Sequence, residues 1–105
     1  MRKLVRDKIP SMMKIESGET HGDDLPENIR KMSGWEYDYA LQLKLHEEWQ
    51  EAWEDPCPEE FGDCLEVLMS AAKRHGIAWS DIEDARTKKV EKKGSFECGW
   101  ELTLK

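Results

Sequence analysis

The chain has 105 residues, 37% of them charged, and a formal net charge of −7. That length predicts a single domain over residues 1–105, and an acidic balance without a basic face excludes a nucleic-acid polymer as partner. No apolar run approaches the roughly 18 residues of a membrane-spanning helix, and the start "MRKLVRDKIP" lacks the apolar stretch of a signal peptide, so a cytoplasmic protein with no membrane contact is expected.

In chain order, "RDKIPSMMKIESG" predicts a short helix. Pro10 suits a first turn, Ile9, Met12 and Met13 form a weak stripe, and Gly18 is a stop. Residues 18–34 are polar, unpatterned and punctuated by Gly and Pro; so long a loop in a small domain predicts an arm or lid. From Trp35 a long helix is expected, because Leu41, Leu45, Trp49, Ala52 and Trp53 recur on one face. "EDPCPEE" breaks it. Phe61, Cys64, Leu65, Leu68, Ala71 and Ala72 make a second stripe that ends at Gly76. The short connection predicts that these two helices pack as an antiparallel hairpin. Ser80 and Glu83 in "SDIE" read as a capping box opening a third helix, which runs to about Lys93 and stops at Gly94.

Apolar residues then fall at every second place, at Phe96, Cys98, Trp100, Leu102 and Leu104. A period of two predicts a short C-terminal strand, whose partner is either "KLVR" near the N-terminus or the same tail of a second subunit. The expected class is all-α: a helical hairpin plus a third helix, the bundle completed by oligomerisation to a homodimer or larger assembly because so short a chain buries little of its own surface. Of the five tryptophans, Trp49 and Trp53 extend the stripe and read as core or subunit interface, while Trp35 and Trp79, at element ends, are the candidates for contacting a base.

Three cysteines without CxxC spacing, Cys57, Cys64 and Cys98, suggest neither a disulfide framework nor a zinc knuckle. Cys64 reads as a small core residue and the other two as incidental. "HEEWQ" fails as a zinc-protease motif, since the second histidine's place is taken by Gln50.

The carboxylates are harder to dismiss. At roughly 100° per residue, Glu48 shares the buried stripe of Leu41 and Ala52, with Glu51 at its border; Glu60 borders the next stripe, and Asp63 lies one turn on. Each helix thus carries an acidic pair at i, i+3, and closing the hairpin sets the pairs face to face. Four such groups repel one another and resist desolvation unless cations lie between them. Hard divalent ions with oxygen ligands, Mg²⁺ or Mn²⁺, meet that need. Glu54, Glu59 and Glu66 instead read as solvated surface charges.

"EEWQE" followed by "EEFGD" resembles the ExxE…ExxD signature of the MazG-like, all-α nucleoside triphosphate pyrophosphohydrolases. "KLVRDKIP", "FGDCLEVL" and "KKVEKKGSF" resemble the start, middle and end of a small house-cleaning subfamily within them. The resemblance implies hydrolysis of a nucleoside triphosphate to monophosphate and pyrophosphate. It implies Glu48, Glu51, Glu60 and Asp63 as Mg²⁺ ligands, with Glu47 as an auxiliary ligand or the group that orients the attacking water. Arg6, Lys8, Lys89, Lys92 and Lys93 are available for the remaining phosphates, and Lys89 and Lys93, which share a helix face, match the family's basic block. The turn Lys93-Gly94-Ser95-Phe96 departs from the subfamily's Arg-Gly-Gly-Phe-like ending, so base preference stays open. Two other readings remain: an inactive helical dimerisation module, and a phosphoribosyl-ATP pyrophosphohydrolase, from which "KLVRDKIP" points away.

Overall fold

A computed structural model describes residues 2–16 and 28–104 of the chain, with only the backbone of residues 15 and 16. Most of the expected arm or lid, and the stop at Gly18, lie outside the described residues. The described part is all-helical: α1 (Ile9–Glu16), α2 (Gly34–Glu54), α3 (Pro58–Arg74) and α4 (Trp79–Lys93). None of these helices is long and apolar enough to cross a membrane.

Proline and glycine explain most of the boundaries. Pro10 sits in the first turn of α1 and Pro58 opens α3, where a missing N–H costs nothing. Asp55, which precedes Pro56, leaves the helical region (φ −136°, ψ 74°) and donates its N–H back to the Glu51 carbonyl at 2.9 Å, closing α2. At the other end of α3, Gly76 adopts a φ of +71°. It donates to Lys73 at 3.0 Å while Ile77 donates to Ala72 at 2.9 Å, the paired bonds of a Schellman stop. Gly94, also at positive φ (+83°) but with an extended ψ of −178°, closes α4 and donates to Val90 at 2.8 Å.

Two expectations fail here. The capping box does not form: Ala78 is the residue before α4, Ser80 lies inside the helix, and no side chain caps the end. Glu83 instead accepts from Arg86 at 3.1 Å, one turn on. The tail strand is also missing, for no strand occurs among the described residues. A strand needs a neighbour to take its backbone hydrogen bonds, and residues 2–6 have no regular structure that supplies one. Phe96 and Trp100 are left 100% and 92% exposed.

The chain divides into two compact units, 1–68 and 69–105. In the first, a three-residue connection turns α2 back along α3, and Trp49 meets Phe61 edge-on at 6.3 Å. Leu41, Ala52 and Cys64 are buried there. The apolar stripes lie where periodicity puts them, but a single chain covers only their centres. Trp49, Trp53, Phe61, Leu65 and Leu68 all stay substantially exposed. Leu45, Trp49, Phe61, Leu65 and Leu68 line an open cleft of about 490 Å³. In the second unit Ala72 is buried, whereas α4 buries no residue.

Candidate metal centre

The candidate site lies wholly within the first unit. Glu48 follows Leu41 by seven residues and precedes Ala52 by four, so helical geometry turns it inward with them. Only 7% of it is exposed, which makes it the buried charged residue of α2. One of its oxygens, Oε1, accepts from Lys44 Nζ at 3.0 Å, an i, i+4 pair along the helix. The other, Oε2, is buried without a partner. From the first turn of α3, Glu60 contributes a second buried oxygen, Oε2, that also lacks a partner. Asp63, one turn further, joins them: one ligand oxygen from each of Glu48, Glu60 and Asp63 lies within 4.8 Å of the others.

The fourth expected ligand, Glu51, is exposed and stands beside this triad rather than in it. It is coupled to it by charge. Its carboxyl is pushed above the usual range chiefly by the negative charge of Glu48, with burial, Glu60 and Glu47 adding to it. Glu60 is pushed up chiefly by burial and then by the charges of Asp63 and Glu48. The Cys64 thiol, buried against the same cluster, is raised chiefly by burial and next by Glu48.

Two cations offset part of this charge. Lys44 reaches Glu48 and, at 3.6 Å, Glu47. Burial alone would lower the lysine's pKa, but its hydrogen bond and attraction to Glu48 outweigh that and leave it raised. The second cation comes from far along the chain: Arg6 Nη2 donates to Asp63 Oδ1 at 2.5 Å.

A buried carboxylate oxygen without a hydrogen-bond partner is costly and calls for an explanation. Here two residues on separate helices each carry one, and both bring a carboxylate oxygen within 4.8 Å of a third carboxylate. An all-oxygen, anionic donor set is the environment a hard divalent cation requires, so the residues present fit such an ion, and the donors do not distinguish Mg²⁺ from Mn²⁺.

The remaining expected residues are placed less centrally. Glu47 is exposed at the rim, held by Lys44. Lys8 is exposed, and Arg6 is engaged with Asp63 rather than free for a phosphate. Lys89, Lys92 and Lys93 are exposed on α4, in the second unit. Sequence reasoning missed Lys44, although its place four residues before Glu48 was a usable signal. It also missed a second grouping at the α2–α3 connection, where Asp55 and Cys57 bring ligand atoms within 4.8 Å of Glu60. No family model matches the chain, and neither a curated protein nor a solved structure matches it.

Proposed function

We propose that the protein is a divalent-metal-dependent hydrolase of nucleoside triphosphates that releases pyrophosphate and the monophosphate. The observation that carries this reading is that Glu48 and Glu60, each with a buried and unpartnered oxygen, bring a carboxylate oxygen within 4.8 Å of one another and of Asp63. The Lys44 ion pair satisfies only one Glu48 oxygen, and a divalent cation would take up the others.

Glu48, Glu60 and Asp63 would hold the ion, with Glu51 completing the set from the adjoining turn. When bound, Mg²⁺ or Mn²⁺ supplies neutralisation of phosphate charge and makes water more acidic. The chain's own groups do the rest. Glu47, exposed beside the cluster, is available to orient a water and accept its proton. Lys44 holds Glu47 and Glu48 in register, fixing the inner face of α2. Lys8, and Arg6 if it leaves Asp63, are the cationic side chains of the same unit for the remaining phosphates, since an acidic cleft repels a triphosphate that only a cation can bridge. The resemblance of "EEWQE" and "EEFGD" to the MazG-like signature supports the choice of reaction.

The apolar face of Trp49, Trp53, Phe61 and Leu65 supports assembly into a homodimer or larger oligomer. That same face favours the second reading, an inactive helical interaction module. Such a module has no use for buried, unpartnered carboxylates. Pyrophosphate release measured over a panel of canonical and damaged nucleotides, with Mg²⁺ and with chelator, separates the two. Turnover that requires the metal supports the hydrolase, and its absence over the whole panel favours the module.

A further inference from the structure

Arg6 has two claims on it. Its place in "KLVRDKIP" makes it a candidate for a substrate phosphate, yet in the structure its guanidinium is spent on Asp63, one of the three convergent carboxylates. The two residues are 57 positions apart in sequence, so this contact ties the N-terminal segment to α3 at one point. The pair is also exposed, with 61% of the arginine side chain and 39% of the aspartate side chain open to solvent. Ion pairs that open are weak and are readily exchanged. By contrast, Lys44 is pinned on the inner side of the cluster, with only 18% of its side chain exposed, and belongs to the same helix as its partners.

We propose that Arg6 is a displaceable counter-ion of the metal centre: it holds Asp63 while no divalent ion is bound and yields it when one binds, releasing the N-terminal segment. This rests on the metal site of the proposed function and adds its regulation. The exchange reconciles the two claims on Arg6. One arginine neutralises the cluster in the metal-free protein and, once displaced, remains tethered beside the site with its fork of donors open to a phosphate, the anion it pairs with best. Charge balance favours the swap, because a divalent ion brings two positive charges to a cluster that Arg6 serves with one. Asp63 also gains a metal ligand's role in place of a solvent-exposed pair.

The test uses the full chain and Mn²⁺ alone, whose binding is read directly by paramagnetic resonance of the free ion. Arg6→Ala removes a competitor for Asp63 and tightens Mn²⁺ binding by about twofold to fivefold, the range to which the strength of an exposed ion pair converts. Arg6→Lys keeps the charge and stays near the wild-type affinity. A second readout needs no variant. The Ile9 amide donates to the Arg6 carbonyl at 3.0 Å, so its hydrogen exchange reports the segment, and Mn²⁺ accelerates that exchange in the wild-type protein. Equal or weaker Mn²⁺ binding by Arg6→Ala overturns the proposal while leaving the metal centre standing. So does Ile9 exchange that is unchanged or slowed by Mn²⁺, which decides the matter alone if Arg6→Ala does not fold. Failure of the wild-type protein to bind Mn²⁺ at millimolar concentration overturns the metal reading itself and the proposal with it.

Discussion

At the scale of single residues, the energetic burden of the site falls on Glu51 and Glu60. Glu51 is raised chiefly by the charge of Glu48, and Glu60 chiefly by burial. A carboxyl whose folded pKa lies above its unfolded one binds a proton more readily in the native state, so folding stability falls as pH rises through that raised range. Glu36 works in the opposite direction. Its hydrogen bond with Arg30 holds its pKa low, and the stability it contributes above the ordinary carboxylate range is lost only in stronger acid. The metal-free protein is therefore expected to melt at a higher temperature at about pH 5 than at about pH 7, and saturating Mn²⁺ should remove most of the difference. A chelated protein that melts at the same temperature at both values, or lower at the acidic one, contradicts the account of the cluster. Glu60→Gln should raise the chelated protein's melting temperature at neutral pH, since it deletes one penalised charge. The parts of this cluster that follow from helical spacing were legible in the sequence: Glu48 inward with Leu41 and Ala52, Glu60 and Asp63 one turn apart. The Arg6–Asp63 pair was not, because no local pattern encodes a contact across 57 residues.

At the scale of elements, punctuation was legible where a backbone rule stands behind it. Pro58 opening α3, Pro56 ending α2, and Gly76 and Gly94 closing α3 and α4 are each dictated by φ or by a missing donor. The capping box illustrates the opposite case. Ser-x-x-Glu marks a helix start only if the serine is the last non-helical residue, and here the helix begins two residues earlier, at Trp79. Side-chain chemistry that permits a cap does not enforce one. Gly76 gives a clean test. A methyl group there meets nothing within 4 Å, so substitution strains only the backbone at φ +71°. Gly76→Ala should cost roughly 1–2 kcal/mol, the penalty of the left-handed region for an L-residue, read as a shift in the urea midpoint with unchanged slope. Gly62→Ala, in the interior of α3 and equally uncrowded, should stabilise by about 0.5–1 kcal/mol through helix propensity. A larger loss at Gly62 than at Gly76 would mean that the Schellman stop does not limit α3.

At the scale of the whole molecule, periodicity identifies an apolar face but not what covers it. Trp53 is 71% exposed despite lying on the stripe of α2. The expected strand fails for the related reason that pairing is a property of two segments, while alternation is a property of one. Both observations lead to the expectation of a homodimer or larger assembly, in which the faces of Trp49, Trp53 and Leu65 are shared. Sedimentation at micromolar concentration should show it, and Trp53→Glu should shift the population toward monomer. A compact wild-type monomer at those concentrations would remove the case for assembly.

The central claim is that the acidic cluster does chemistry on a triphosphate, and turnover of cluster variants tests it most directly. Glu48→Gln and Asp63→Asn keep side-chain size and remove one charge each from the site. With Mg²⁺ present, each should lower pyrophosphate release by at least about 10²-fold, the loss typical when a key electrostatic group is removed. Circular dichroism should show both variants folded, with stability held or raised. Glu54→Gln, on the exposed end of α2 and bonded only to Gln50 among the described residues, should turn over like the wild type. Full pyrophosphate release by Glu48→Gln and Asp63→Asn would contradict the account.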